Sequence, residues 1–189
     1  MIKCIIFDWG MLFTTSDYDN MVEVFGLSKK KIWELEDKYS DKKDCSGFWK
    51  DIKNLGVDKT EKEISDIFNI DKILELNEMS DLLDKLSNYT LVLLSNQVSE
   101  RTKILRKKYP GVMAKFRHVF FSDEIGLMKP DVKSFQFIID KSGFNPEECL
   151  FVDDTKRHIE SAKSLGIYGI LFKSADQLKE ELSKLSITF

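Results

Sequence analysis

The sequence contains little arginine, histidine and cysteine. Only four of its 29 basic residues are arginines, and the formal net charge is −3. Nucleic-acid-binding surfaces depend on dense positive charge, so we expect no nucleic-acid partner. The histidines and cysteines show no CxxC or paired spacing of the kind that marks a zinc site; they are His118, His158, Cys4, Cys45 and Cys149.

The sequence also lacks a long apolar run. A membrane-spanning helix needs about 20 consecutive apolar residues, and no stretch of this chain provides them. The apolar run that ends at Asp8 is too short for a signal peptide. We therefore expect a cytoplasmic protein with no membrane partner, while composition leaves the oligomeric state open.

What the sequence does contain is a change of periodicity along the chain. Residues 2–8 form a short apolar run that predicts a buried β-strand. From residue 14 to residue 83 the apolar residues recur at helical spacing, and no strand is predicted there. The predicted helices cover residues 17–25, 28–39, 44–55, 60–68 and 71–86.

The second half of the chain alternates between strands and helices. Apolar runs predict strands at 91–94, 118–121, 149–152 and 167–172, and helices are predicted at 99–109, 131–142, 155–165 and from 174 onward. This alternation is typical of a parallel sheet with helices on both faces. The sequence therefore predicts a doubly wound α/β core, residues 1–13 and 84–189, with a small helical cap, residues 14–83, inserted after the first strand.

Polar side chains follow four of the predicted strands. Asp8 follows the first strand, Ser95 and Asn96 the second, Lys129 lies in the loop after the third, and Asp153 and Asp154 follow the fourth. The carboxyl ends of parallel strands meet at one edge of a sheet, where α/β proteins bind ligands. Each residue alone is also typical of a turn or a helix cap. Together they offer what a divalent cation and a phosphate group both require.

These stretches, in this order, carry a resemblance to a known family. The sequence reads FDWGML at 7–12, LSN at 94–96, GLMKPD at 126–131 and FVDD at 151–154. They resemble the four ordered motifs of the haloacid dehalogenase-like hydrolase superfamily, and the insertion is similar to the helical cap of its first subfamily. Gly10, at the third position of the first motif, and the paired aspartates resemble the branch that holds sugar-phosphate phosphatases and the N-terminal phosphatase domain of epoxide hydrolases.

The resemblance implies a role for each motif residue. Asp8 would attack phosphorus and form an aspartyl-phosphate, while Lys129 would hold both Asp8 and the phosphate. The hydroxyl of Ser95 and the main-chain N–H of Asn96 would bind the phosphoryl oxygens. The implied reaction is the hydrolysis of a small phosphomonoester, with a phosphorylated metabolite such as a sugar phosphate as the partner.

The resemblance also implies a Mg²⁺ cofactor. The side chains of Asp8, Asp153 and Asp154 and the main-chain carbonyl of Gly10 are the expected ligands, and oxygen ligands are those that Mg²⁺ prefers.

Gly10 departs from the family pattern. Most phosphatases of the family have an aspartate there, which protonates the leaving oxygen and later activates water. Glycine cannot do this, and the alternative interpretation is a catalytically impaired protein that binds a phosphometabolite. A 2-haloacid dehalogenase ranks lower, because the Asp153–Asp154 pair has no use without a metal. Hydrolysis ranks first, since glycine at this position recurs in the branch that the chain resembles.

Further polar and aromatic residues near the motifs have structural explanations. Asp17 and Asp19 are expected to cap a helix and to charge its first turn. His158 is expected on a helix surface or hydrogen-bonded to the carboxylate loop. The aromatic residues of the insertion are expected to pack in its interior, with one or two lining a pocket; they are Trp33, Tyr39, Phe48 and Trp49.

Overall fold

The computed structural model describes residues 1–73 and 76–189. Its strands are β1 (Cys4–Phe7), β2 (Thr14–Ser16), β3 (Asp71–Ile73), β4 (Thr90–Ser95), β5 (His118–Phe121), β6 (Cys149–Asp153) and β7 (Tyr168–Leu171). Its α-helices are α1 (Tyr18–Phe25), α2 (Lys29–Tyr39), α3 (Ser46–Asn54), α4 (Glu61–Phe68), α5 (Leu76–Lys85), α6 (Ser99–Lys108), α7 (Pro110–Met113), α8 (Ser122–Ile125), α9 (Val132–Ser142), α10 (Lys156–Ser164) and α11 (Ala175–Lys184). No helix in these described ranges has the length and apolar character that crossing a membrane requires.

A parallel sheet of five strands forms the centre of the fold. Its strand order is β5-β4-β1-β6-β7, so β1 lies in the middle. Cys4 at the start of β1 is in register with Thr90 of β4 and Cys149 of β6. All five strands run in the same direction, and their carboxyl ends therefore share one edge.

Both faces of this sheet are covered by helices. Side chains alternate along a strand, so Ile5 and Phe7 enter one apolar cluster with α5, α6 and α11, while Cys4 and Ile6 enter another with α9 and α10. A strand that is buried on both faces reads as a continuous apolar run, which is how β1 appears in the sequence. The predicted doubly wound α/β fold is confirmed.

The helices α1–α4, here called the cap, share an apolar cluster that also includes Val98, directly before α6. Its centre is Phe48, whose ring lies 4.9 Å from that of Trp49 and 5.0 Å from that of Phe68. The Asp17 side chain accepts a hydrogen bond from the Asn20 N–H at the start of α1, as the capping interpretation expects.

The prediction that residues 14–83 contain no strand is wrong. Residues Thr14–Ser16 and Asp71–Ile73 pair as an antiparallel ribbon, with Thr14 in register with Ile73. The helix predicted for 71–86 is therefore wrong at its start, and α5 begins at Leu76; residues 74 and 75 lie outside the described residues. The pairing partner of each strand is more than fifty residues away, so local periodicity could not reveal it.

Helix α5 packs with the core sheet. Met79, Leu82 and Leu83 share their apolar cluster with Leu91 and Leu93 of β4, and the cap cluster does not include them. The division of the chain into a core and a cap of residues 14–83 stays a prediction. This packing favours a boundary closer to β3 than to residue 83.

Candidate active site

The polar residues predicted at the strand ends meet at the carboxyl edge of the sheet. The Lys129 Nζ atom lies 2.9 Å from Asp8 Oδ1 and 2.7 Å from Asp153 Oδ2. Lys129 and Asp153 have no solvent exposure, and Asp8 is 8% exposed. A buried ammonium between two carboxylates satisfies charges that would be costly to bury alone. The structure thus joins motif residues that are separated by more than a hundred positions in sequence.

Asn96 holds the segment that carries Lys129. Its side-chain amide donates to the Lys129 carbonyl at 2.7 Å, and its Oδ1 accepts from the Lys129 N–H at 2.9 Å. The peptide between Lys129 and Pro130 is cis. The Asn96 side chain is therefore a positioning group for the lysine, whereas the sequence analysis assigned only the main-chain N–H of Asn96 to phosphate.

Asp153 is held by a dense set of donors. Its Oδ1 accepts from the Thr155 N–H at 2.7 Å, and His158 Nδ1 lies 3.1 Å from both of its oxygens. A carboxylate can only accept, so Nδ1 carries the hydrogen of this contact. His158 thereby takes the second of its two expected places, bonded to the carboxylate loop, and its Nε2 is buried.

Burial and neighbouring charges shift the pKa values of the three carboxylates in different directions. For Asp153, burial opposes ionisation, but the Lys129 charge and the His158 hydrogen bond outweigh it and hold its pKa at about 2. Burial and the charges of Asp8 and Asp153 raise the pKa of Asp154 to about 6. Burial also raises the pKa of Asp8, against the opposing charge of Lys129. The cluster is thus short of positive charge by itself.

Three carboxylates of this cluster offer oxygen atoms to one point. Ligand atoms from Asp8, Asp153 and Asp154 all lie within 4.8 Å of one another. An all-oxygen donor set with excess negative charge is the chemistry that suits Mg²⁺. These residues therefore fit the cofactor that the sequence analysis expects.

Ser95 and Gly10 complete the surroundings of Asp8. Ser95, at the end of β4, is buried and hydrogen-bonds the Asp8 carboxylate, which lowers the pKa of Asp8. A Cβ atom built on Gly10 would meet only Asp8 Oδ2, at 3.7 Å, which is an ordinary contact. Position 10 thus has room for a Cβ atom beside the Asp8 carboxylate.

A cavity of about 760 Å³ opens between this edge of the sheet and the cap. Besides the motif residues it is lined by Tyr18, Trp33 and Glu36 of the cap and by Arg101 of α6. Trp33 is 48% exposed, whereas Phe48 and Trp49 are buried in the cap and do not line the cavity. The cavity wall outside the motif residues carries four basic and four acidic side chains, namely Lys29, Lys30, Arg101, Arg157, Asp19, Glu34, Glu36 and Asp37.

Contacts between the cap and the core place α2 over the cavity. Asp37 on α2 forms an ion pair of 3.3 Å with Arg157 on α10. The Ser122 hydroxyl donates to the carbonyl of Ser40, which directly follows α2. Both cap residues line the cavity. The end of α2 therefore forms its roof.

Three residues that line the cavity have no predicted role in the sequence: Glu36, Tyr18 and Arg101. Glu36 follows Ile32 by one helical turn, so it shares the buried side of α2, and a carboxylate on an apolar face was the available signal. Arg101 is buried although it lies in a strongly polar helix. Nothing in the local sequence distinguishes Tyr18 from the packing aromatic residues of the cap.

Comparison with known proteins places the chain in a family. The model for haloacid dehalogenase-like hydrolases matches residues 11–166. The chain is 25% identical to the D-ribitol-5-phosphate phosphatase of Bacteroides thetaiotaomicron, with 97% of this chain and 98% of the relative covered. It is 34% identical over 68 residues to flavin mononucleotide hydrolase 1 of Arabidopsis thaliana, which covers 36% of this chain.

The extent of these matches differs between relatives. The chain spans 28% of the length of the Arabidopsis protein and 13% of the length of several other curated relatives. A crystal structure of a haloacid dehalogenase (HAD) family enzyme from Bacteroides thetaiotaomicron, in complex with magnesium and inorganic phosphate, shares the fold of this chain. The TM-score is 0.77 and the sequence identity is 24%. That comparison covers 92% of this chain and 95% of the other. The chain belongs to the haloacid dehalogenase-like hydrolase family.

Proposed function

We propose that the protein hydrolyses small phosphomonoesters with the help of Mg²⁺, and that Asp8 is the nucleophile. The observation that carries this proposal is the buried cluster in which Lys129 contacts both Asp8 and Asp153, with Asp154 beside them. The matched family range begins after Asp8, so the role of Asp8 rests on this geometry and on its place at the end of β1.

We propose a substrate class from the similarity to one relative. A D-ribitol-5-phosphate phosphatase matches nearly the whole chain, which favours a sugar or polyol phosphate. The longer relatives match over less than half of this chain, and their substrates carry less weight here.

The cofactor would be held by the side chains of Asp8, Asp153 and Asp154 and by the main-chain carbonyl of Gly10. When bound, Mg²⁺ reduces the repulsion between the attacking carboxylate and the phosphate and stabilises the charge that spreads over the phosphoryl oxygens.

The chain's own residues perform two displacements at phosphorus. An oxygen of Asp8 forms a bond to phosphorus while the bond from phosphorus to the ester oxygen breaks; this oxygen leaves with the bonding electrons and takes up a proton from solvent, since position 10 carries no acid. Lys129, the Ser95 hydroxyl and the Asn96 main-chain N–H hold the phosphoryl oxygens as their charge changes. Water then attacks phosphorus and gives up a proton to solvent, while the bond between phosphorus and the Asp8 oxygen breaks; this releases inorganic phosphate and restores the Asp8 carboxylate.

Gly10 favours a second candidate function, the binding of a phosphometabolite without turnover. Position 10 carries no acid, and general acid–base catalysis contributes about 10²–10⁴-fold to such reactions. Hydrolysis ranks first because Asp8, Ser95, Lys129 and Asp153 are all present and lie together. A 2-haloacid dehalogenase ranks below both, since that reaction needs no metal and therefore does not explain the paired carboxylates Asp153 and Asp154.

The test is phosphate release from a panel of sugar, polyol and aryl phosphates, with Mg²⁺ and with a chelator. We expect release that requires Mg²⁺ and that Asp8→Asn abolishes. The matched control is Asp66→Asn, which makes the same change on the exposed side of α4. Ester binding without release by the wild-type protein would favour the binding function, and halide release from 2-haloacids would favour the dehalogenase.

A further inference from the structure

We propose that Tyr18 and Glu36 bind hydroxyl groups of the substrate's leaving group, and so select polyhydroxylated phosphomonoesters. This inference rests on the proposed function. Both side chains line the same cavity as Asp8 and Lys129, but they lie on the cap helices α1 and α2. A substrate whose phosphate is held at the sheet edge would extend its leaving group along this wall.

The hydrogen bond between the two side chains determines what they can still bind. Tyr18 Oη donates its single hydrogen to Glu36 Oε2 at 2.8 Å. The phenol has used its only donor, and the Glu36 carboxyl group, when ionised, has only acceptor sites. Because Trp33 also hydrogen-bonds the Tyr18 oxygen, the acceptors that the pair offers to the cavity are chiefly those of Glu36, and alcohol hydroxyl groups can donate to them.

Two neighbouring side chains are also placed to contact a polyhydroxylated leaving group. Arg101 is buried and lines the cavity, and its charge lowers the pKa of both Tyr18 and Glu36, so its guanidinium lies near both. It supplies donors, whereas a hydroxyl group can both donate and accept. Trp33 packs edge-on against Tyr18 at 5.8 Å, lines the cavity and is 48% exposed, with Lys29 Nζ 5.0 Å from the centre of its ring. Its indole offers a flat apolar surface for the carbon chain of a polyol.

The charges on the cavity wall favour a neutral leaving group. Acidic and basic side chains are equal in number there, and Asp37 is paired with Arg157. A wall that recognised a second phosphate would carry an excess of positive charge. The balance therefore argues for hydroxyl groups as the recognised feature.

The placement of Glu36 is costly for the fold. Burial raises its pKa to about 7, although the Tyr18 hydrogen bond and the Arg101 charge work in the opposite direction. A structural link between α1 and α2 alone would not need a carboxyl group in this position. A ligand that hydrogen-bonds to the carboxyl group would recover part of this cost.

The experiment compares two six-carbon ligands that differ only in their hydroxyl groups, sorbitol 6-phosphate and n-hexyl phosphate. Binding is measured by calorimetry with Mg²⁺ in the Asp8→Asn protein, where no turnover occurs. Inorganic phosphate is the third ligand and reports on the phosphate site alone. Glu36→Gln and Tyr18→Phe are each added, and the matched control Glu23→Gln neutralises an exposed carboxylate on α1 that does not line the cavity.

We expect sorbitol 6-phosphate to bind at least about tenfold more tightly than n-hexyl phosphate, and Glu36→Gln and Tyr18→Phe each to weaken it by about tenfold, as one lost hydrogen bond predicts. The same two substitutions should change the affinities for n-hexyl phosphate and inorganic phosphate by less than about twofold, because neither ligand has an alcohol hydroxyl group whose hydrogen bond could be lost. Equal losses for all three ligands, no loss for any, or no preference for the polyol would each overturn the inference. Turnover by the wild-type protein, measured separately, decides the proposed function.

Discussion

Replacing Gly10 by aspartate should provide a proton donor at the position where this chain carries glycine. Gly10 lines the cavity, and a Cβ atom there meets only Asp8 Oδ2 at 3.7 Å. Its φ angle is not in the left-handed region that only glycine readily adopts. The backbone therefore accepts a side chain at position 10, and that side chain would begin beside the Asp8 carboxylate.

The expected gain follows from what a positioned acid contributes. General acid catalysis is worth about 10²–10⁴-fold, which corresponds to about 3–5 kcal/mol of activation free energy. The new carboxylate also adds negative charge to the carboxylate cluster at the edge of the sheet. At a separation of about 5 Å and an effective dielectric constant of about 20, two carboxylates repel by about 3 kcal/mol. Lys129 and a bound cation oppose this repulsion, so we expect lower stability mainly when Mg²⁺ is removed.

The assay is phosphate release from an alkyl phosphate and from an aryl phosphate by the wild type, Gly10→Asp and Gly10→Asn. Asparagine has nearly the same size but cannot deliver a proton. We expect a large gain for Gly10→Asp on the alkyl ester and a small gain on the aryl ester, whose leaving oxygen departs without protonation. If Gly10→Asp is no faster than Gly10→Asn on the alkyl ester, another group already supplies the proton and the reasoning is refuted.

Three further predictions concern stability. Glu36 has a folded-state pKa of about 7 against an ordinary 4.5, so its ionisation destabilises the fold increasingly as the pH rises between these values. In urea unfolding at pH 8, Glu36→Gln should therefore be more stable than the wild type by up to about 3 kcal/mol. A difference in stability that does not change with pH would contradict this. Lys129→Met leaves two buried carboxylates without their cation and should cost about 3–5 kcal/mol near neutral pH, measured with a chelator present. Gly169→Ala places a Cβ atom 2.8 Å from Ile159 Cγ2 and should cost about 1–3 kcal/mol, whereas Gly111→Ala, with open space around it, should be close to neutral; equal melting temperatures for the two variants would disprove the packing argument.

The core of the fold was predictable because its signals are local. A strand buried on both faces is a continuous apolar run, as at β1 and β6, and the helix beginnings carry capping residues such as Asp17 and Thr60. The meeting of Asp8, Lys129 and Asp153 also followed, since parallel strands place their carboxyl ends at one edge. These inferences needed topology alone.

The features that could not be predicted depend on tertiary neighbours. The β2–β3 ribbon forms because two distant three-residue segments meet, and neither segment is long enough to be predicted as a strand from its own sequence. The Asn96 contacts with Lys129 involve residues that are 33 positions apart. The position of Glu36 in the cavity depends on how the cap lies over the core, which no local pattern encodes.

The β2–β3 ribbon has a consequence for how specificity can change. The chain enters the insertion through β2 and leaves it through β3, and the antiparallel pairing keeps these two connections side by side. A segment whose two ends lie side by side can be replaced by a segment of different length, because the new segment can join the same two points. Residues 17–70 could thus be exchanged or remodelled while the carboxylates at the sheet edge stay in place. Such an arrangement lets the range of accepted leaving groups evolve separately from the chemistry at phosphorus.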